Sequence, residues 1–295
     1  MALIVPGPAS PVLSERLAQL MSLPRAKVNY RVFPDGESYI RIEGEVKGDV
    51  VVAVQSCSPP QDKRFFELLQ LIDASTRAGA SRVIVVCPYM AYSRQDKVFL
   101  DFEALSSRIV AKAIEAAGAS SFVTVNIHSD LVLSYFNIKA LNVDAFRVVA
   151  RQLLDKDLVR PLIVSPDRKR YPEAQVVAEV LRGEASFFDK KRDLLTGEIT
   201  TEEKMLDVEG RDVVIVDDII STGGTIANAA RILSKQKPKR IIAVCIHGLF
   251  VGDALKKMAE AGVSEVVSTD TIESEWSKIS VAEAIAEVLQ GMLEG

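Results

Sequence analysis

The sequence predicts an α/β protein made of two tandem, related domains, each with a mostly parallel central sheet flanked by helices. Three observations predict it. Short continuous runs rich in Val and Ile recur at 50–54, 83–87, 122–125, 162–164, 213–216 and 241–245, the pattern of strands buried on both faces of a parallel sheet. Helical patterns separate these runs, as an alternating α/β chain requires. Two stretches then read as copies of one strand–loop–helix–strand unit.

In the first copy, 50–54 leads through a polar loop to a helix with Phe65, Leu68, Leu69 and Ile72 at i, i+3, i+4 and i+7. In the second, 213–216 leads to a helix with Ile226, Ala229, Ala230 and Leu233 at the same spacing, which lines up one apolar face. Each helix returns to a strand ending in cysteine, Cys87 or Cys245. The copies place a boundary near Asp144 and divide the chain into domains of residues 1–144 and 145–295. Val281, Ala284, Ile285 and Val288 mark a C-terminal amphipathic helix.

The 295 residues are 48% apolar, enough for full cores without disulfides. Cys57, Cys87 and Cys245 form no C-x-x-C pair, so neither a zinc site nor a disulfide framework is expected. No apolar run nears the roughly 18 residues of a membrane helix, and the first residues lack the basic region of a signal peptide. A cytoplasmic enzyme with no membrane partner is expected. The net charge of −4 argues against a nucleic-acid binder, which carries a basic footprint.

The loops of the two copies differ. The first reads Gln55-Ser-Cys-Ser-Pro-Pro-Gln-Asp; the second reads Asp217-Asp218-Ile-Ile-Ser-Thr-Gly-Gly-Thr. Ligands of parallel sheets bind beyond the carboxyl ends of the strands, where Asp217 and Asp218 fall. Ionised carboxylates only accept hydrogen bonds and so suit the paired 2- and 3-hydroxyls of a ribose. Ser221, Thr222, Gly223, Gly224 and Thr225 then run into a helix whose N-terminus favours a phosphate. The glycines let backbone approach it, and Thr225 is expected to cap the helix. One loop can therefore grip a sugar and its 5-phosphate. The Walker A and dinucleotide glycine patterns are both absent. By residue type alone, Tyr92-Ser-Arg-Gln-Asp-Lys97 is a solvated loop and Phe33-Pro-Asp-Gly-Glu37 a hairpin turn. Asp189-Lys-Lys-Arg-Asp193 reads as a charged hairpin tip, and His128 as a structural histidine.

The 217–225 loop resembles the phosphoribosyl-diphosphate motif of phosphoribosyltransferases and of their relative, ribose-phosphate pyrophosphokinase. The segments at 33–37, 92–97 and 247–250 (His-Gly-Leu-Phe) resemble signatures of the pyrophosphokinase, as does the tandem of two domains. The similarity covers essentially the whole chain. It implies two phosphoribosyltransferase-type domains and transfer of a diphosphoryl group from ATP to O1 of ribose 5-phosphate, with magnesium, for nucleotide biosynthesis. By the resemblance, Arg94 and Gln95 bind ATP. Phe33, Asp35 and Glu37 reach a neighbouring subunit's adenine, which implies a homo-oligomer with a shared ATP site. His128 lies by the phosphates and the metal, which Asp167 also faces. Lys190 and Arg192 are the catalytic cations of a flap. Asp217 and Asp218 hold the ribose hydroxyls, and Ser221, Thr222, Gly223, Gly224 and Thr225 hold the 5-phosphate.

Three positions depart from the family's pattern. Asn126 stands two before His128, where an acid is usual. Arg168-Lys169-Arg170-Tyr171 replaces a small, glycine-containing loop after Asp167, and its three cations could bind pyrophosphate. Phe102 replaces a glycine. These departures leave open a non-catalytic regulatory relative; a phosphoribosyltransferase is a further alternative, opposed by the ATP-type motifs of the first copy.

Overall fold

The structure, a computed structural model, describes residues 1–192, 199–201 and 204–294. It is α/β, with two compact units. The first runs β1 (Ala2–Pro6), α1 (Pro11–Met21), β2 (Lys27–Val32), β3 (Ser38–Glu43), β4 (Val50–Val54), α2 (Gln61–Arg77), β5 (Arg82–Val86), α3 (Ser106–Ala116), β6 (Ser121–Val125) and β7 (Lys139–Val143). The second runs α4 (Phe146–Leu153), β8 (Leu162–Ser165), α5 (Tyr171–Leu181), β9 (Glu184–Phe187), β10 (Lys190–Arg192), β11 (Ile199–Thr201), β12 (Asp212–Ile220), α6 (Gly224–Ser234), β13 (Arg240–Gly248), α7 (Ala254–Glu260), β14 (Glu265–Thr269) and β15 (Ser277–Ile279). Residues 270–274 and 280–294, including α8 (Ala282–Leu293), rejoin the first unit.

That return differs from the expected assignment of all of 145–295 to one domain. Its cause is the apolar face of α8, with Ala282, Ile285 and Leu289 buried, which packs on α1 and β7. Asp270 accepts an ion pair from Arg16 at 2.7 Å, and Glu273 Oε1 accepts from Leu13 N at 2.9 Å. The pairing ties the returning segment to the first turns of α1.

The first unit's sheet is ordered β1-β4-β5-β6-β7 and the second's β15-β14-β13-β12-β8-β9, with every pairing parallel. Each unit also carries an antiparallel hairpin between the helix after its first strand and its second long strand: β2–β3 in one, β10–β11 in the other. In the second sheet the chain steps from β8 to β9 on one side and later to β12 on the other. The topological switch point of the sheet therefore lies between β8 and β12, where ligands of such sheets bind. In the first sheet the outward step from β1 is reduced to a single parallel bridge, Ile4 with Arg25, before the chain crosses to β4.

The apolar runs became the central strands, and their interiors are buried. Two strands are longer than expected. β12 continues through the acids to Ile220 and β13 through His247 to Gly248, the two staying in register as far as Ile220 with Gly248. In α6 the expected face, Ile226, Ala229, Ala230 and Leu233, is buried. In α2 it is rotated. Leu68, Leu71 and Ile72 are buried together with Glu67 and Ser75, because the Glu67 carboxylate accepts from Tyr30 Oη at 2.7 Å, Ser38 Oγ at 2.9 Å and Arg64 Nη1 at 2.8 Å. A buried charge persists only with such partners, and these pin the β2–β3 hairpin onto α2. Among the described residues no helix is long and apolar enough to cross a membrane.

Candidate active site

In the second unit, the carboxyl ends of neighbouring strands β8 and β12 bring Asp167, Asp217 and Asp218 to the switch point. The acids sit within β12, Asp217 opposite Cys245 of β13. Asp217 is half-buried and Asp218 is 4% exposed. The backbone fixes both. Asp217 Oδ1 accepts from Asp218 N and Asp218 Oδ1 from Ile219 N, each at 2.9 Å. Burial, then the charge of Asp218 and its hydrogen bond, then the charge of Asp167, push the Asp217 carboxyl well above the usual carboxylate range. Asp167, Asp217 and Asp218 thus bring three carboxylates close together.

Ser221, Thr222 and Gly223 lead from β12 into α6. Gly223, not Thr225, is the cap residue, and no side chain caps the helix. Thr225 lies inside the first turn, so the expected cap is corrected. Gly223 has φ 72°, and a Cβ there would stand 2.9 Å from the Ala254 carbonyl oxygen; glycine meets both demands. A Cβ on Gly224 would meet nothing nearer than Thr222 Oγ1 at 4.0 Å, so the approach to the first turn is open. Ser221 O accepts from Val251 N at 2.9 Å, which holds the loop against the chain after β13.

The basic run after Asp167 is split. Asp167 caps a 3-10 turn over Arg168–Arg170, accepting from Arg170 N at 3.2 Å. Arg168 turns to Asp189 at 3.1 Å and lies 4.9 Å over the Phe187 ring. Lys169 is exposed. Arg170 turns inward: its side chain is 13% exposed, with Nη2 paired to Asp218 Oδ2 and Nη1 to Glu173 Oε1 at 2.9 Å. Its burial opposes its charge, but Asp218, Glu173 and Asp217 outweigh that and raise its pKa. The expected trio of cations for pyrophosphate is thus two outward cations and one committed to Asp218. Lys190 and Arg192 lie on β10, which follows β9, the neighbour of β8; their side chains, and residues 193–198, are outside the described residues.

In the first unit, the ATP-type motifs follow adjacent strands. Arg94 and Gln95 lie after β5. Arg94 is exposed, while Gln95 is tied to the start of α3 by Ser106 Oγ on its Oε1 and Ser107 Oγ on its carbonyl at 2.8 Å. His128 follows β6 and is half-buried. Asn126 has φ 36°, a backbone that asparagine adopts readily. Its Nδ2 donates to Asp144 Oδ1 at 3.0 Å, a bond that an aspartate could not make without repulsion. The 33–37 turn is closed by Phe33 N to Glu37 O at 2.8 Å and Glu37 N to Asp35 Oδ1 at 3.1 Å. Phe33, Asp35 and Glu37 are all exposed, with the Arg31 guanidinium 4.9 Å over the Phe33 ring. The sequence reading missed Arg170, Glu67 and Gln55 as organising residues. Each acts through partners distant in sequence, and only the position of Arg170 beside Asp167 gave any signal.

The resemblance implies magnesium. Among the described residues no three His, Cys, Asp or Glu side chains are placed to hold a metal by themselves. The donors beside the switch point are carboxylates, which fits a cation that uses one or two carboxylates and keeps waters and substrate phosphates as its other ligands.

A family model described as the N-terminal domain of ribose phosphate pyrophosphokinase matches residues 2–118, and one described as the phosphoribosyl transferase domain matches residues 134–287. The ribose-phosphate pyrophosphokinase of Methanothermobacter thermautotrophicus is 42% identical over 288 residues, covering 98% of this chain and 100% of that protein. Ribose-phosphate pyrophosphokinase 2 of Archaeoglobus fulgidus is 42% identical over 285 residues, covering 96% and 98%. The crystal structure of phosphoribosylpyrophosphate synthetase from Mycobacterium smegmatis superposes with a TM-score of 0.84 at 28% identity, over 99% of both chains. Two domain matches and full-length relatives lead to one statement: this chain belongs to the ribose-phosphate pyrophosphokinase family.

Proposed function

We propose that this chain transfers the diphosphoryl group of ATP to O1 of ribose 5-phosphate, giving 5-phosphoribosyl 1-diphosphate and AMP for nucleotide biosynthesis. The observation that carries the reading is the Asp217–Asp218 pair at a switch point, running directly into a glycine-capped helix N-terminus, in a chain of this family. The acids accept the ribose 2- and 3-hydroxyls, and Ser221, Thr222, Gly223, Gly224 and Thr225 hold the 5-phosphate. Arg94, Gln95 and His128 contact ATP. Phe33, Asp35 and Glu37 serve the ATP site of a neighbouring copy in a homo-oligomer, a role their exposure permits.

In the reaction, O1 of the sugar attacks the β-phosphorus of ATP. The bond from that phosphorus to the α,β-bridging oxygen breaks, AMP leaves with the electron pair, and the proton of the O1 hydroxyl passes to solvent. Phosphoryl-type transfer depends mostly on positioning and charge stabilisation, which is the role assigned to Lys190 and Arg192. Asp167 and His128 are the residues that would hold magnesium, which would supply positive charge to neutralise phosphate oxygens when bound. A cytoplasmic location belongs to the same proposal and agrees with three free, buried cysteines in a chain that reads as a reducing-compartment protein.

Chromatography of the products from ATP, magnesium and ribose 5-phosphate tests the reading. AMP is expected, and only when the sugar is present. ADP would mean single-phosphoryl transfer and would overturn it, as would no product at all.

A further inference from the structure

Asp218 is a nearly buried carboxylate with two built-in donors. Ile219 N reaches Oδ1 at 2.9 Å, and Arg170 Nη2 reaches Oδ2. The guanidinium is fixed in turn. Glu173, in the first turn of α5, takes its other fork at 2.9 Å, and the Asp167 carboxylate accepts the Arg170 backbone N–H at 3.2 Å. Among the described residues, Asp167, Glu173, Asp217 and Asp218 thus gather around the guanidinium of Arg170, while Arg168 is turned outward to Asp189. Glu173 Oε2 is buried and accepts no hydrogen bond among the described residues. The carboxylate of Glu173 is therefore spent on Arg170 alone.

A carboxylate offers about four acceptor positions. With a donor on each Asp218 oxygen, the plane of the carboxylate is set, and with it the directions of its lone pairs. We propose that Arg170 is a positioning residue that sets selectivity for the ribose 2,3-diol, by holding Asp218 in the orientation that accepts those hydroxyls. This rests on the assignment of Asp217 and Asp218 to the ribose. A sugar lacking the 2-hydroxyl leaves a buried acceptor unpaired, which is the situation in which sites discriminate most strongly. Without Arg170, Asp218 loses the charged donor on Oδ2 while the carboxylate of Asp217 stays beside it. Its orientation is then less fixed, and its preference for a hydroxyl falls. A lysine supplies the charge but not the planar fork that reaches Asp218 and Glu173 together.

The test compares kcat/KM for ribose 5-phosphate and 2-deoxyribose 5-phosphate, read as AMP release by the full chain. Wild type, Arg170→Met, Arg170→Lys and Asp218→Asn are measured, with thermal unfolding of each. The proposal expects Arg170→Met to lower the ribose-to-deoxyribose ratio about tenfold or more, mainly through KM for ribose 5-phosphate, and Arg170→Lys to fall in between. A wild-type ratio in Arg170→Met, with the ratio collapsed in Asp218→Asn, would overturn the proposal and leave the ribose assignment standing. A wild-type ratio in Asp218→Asn would overturn the assignment itself, and the proposal with it. Should Arg170→Met not fold, Arg170→Lys decides: a severalfold lower ratio supports the role and an unchanged ratio removes it.

Discussion

β4 of the first unit gives way after Val54 to Gln55, while β12 of the second continues after Val216 through Asp217 and Asp218. The two places are equivalent in their sheets, each beside the strand that opens its unit. In the first, Gln55 is 0% exposed and fills the crevice. Its Oε1 accepts from Ala9 N at 2.9 Å and its Nε2 donates to Arg64 O at 3.2 Å. A Cβ on Gly7 would fall 2.2 Å from Gln55 Oε1, so side chain and backbone already touch. Ser56 is also 0% exposed; its Oγ donates to Thr271 O at 2.6 Å and its N–H donates to Ser10 Oγ at 2.9 Å. In the second, the corresponding positions carry two acids, while α2 and α6 alike begin without a side-chain cap. One crevice satisfies its polar groups internally and gains stability. The other gathers like charges in Asp217 and Asp218, at a cost in stability that a ligand-binding role would explain.

The largest effect should come from Asp218→Asn, which removes the carboxylate charge and an acceptor that Arg170 Nη2 meets. We expect kcat/KM for ribose 5-phosphate to fall about a thousandfold or more, seen in steady-state AMP release. Gly223→Ala comes next. Its φ of 72° and the 2.9 Å approach to Ala254 O should cost roughly 1–3 kcal/mol in urea unfolding, with weaker binding of the sugar phosphate.

Gln55→Ala separates the two crevices. It leaves the Ala9 N–H without its acceptor and opens a void, so we expect a loss of about 1–3 kcal/mol. The KM for ribose 5-phosphate should stay within about twofold, because the proposed sugar site lies in the second unit. An equal loss of sugar affinity would break the contrast.

The smallest effect has the opposite sign. Asp217 has its carboxyl pushed up in the native state by burial and by Asp218. The native protein therefore retains a proton that the unfolded chain has already lost. Stability is present below the unfolded carboxylate pKa of about 4 and is lost as pH rises through the higher native value. Asp217→Asn keeps an oxygen for Asp218 N and removes the repulsion. Its melting temperature should exceed wild type by a few degrees at pH 8 and show no gain at the acid end, in scanning calorimetry of the ligand-free protein.

Much of this contrast was legible in sequence. The Val-rich runs marked the sheet cores, and the acids and glycines of the 217–225 loop marked the end of β12 at the switch point. What could not be read was where polar residues find partners. The acids ended the apolar run at Val216, so β12 was expected to stop there, yet pairing with β13 carries it to Ile220. The α2 face was read from Phe65, but a buried Glu67 with four side-chain donors rotated it. Arg170 read as a cation for pyrophosphate because composition shows its charge, not the carboxylates it meets. Edge strands such as β9 and β15 are too short and polar to show periodicity, and the return of α8 to the first unit depends on contacts with α1, far away in sequence.

The most direct measurement is calorimetric titration of ribose 5-phosphate into the wild-type chain and into the Asp217→Asn/Asp218→Asn double variant. The account predicts one sugar-phosphate site per chain in wild type and none in the double variant, with both proteins folded. Two sites per chain, or unchanged binding in the double variant, would contradict it.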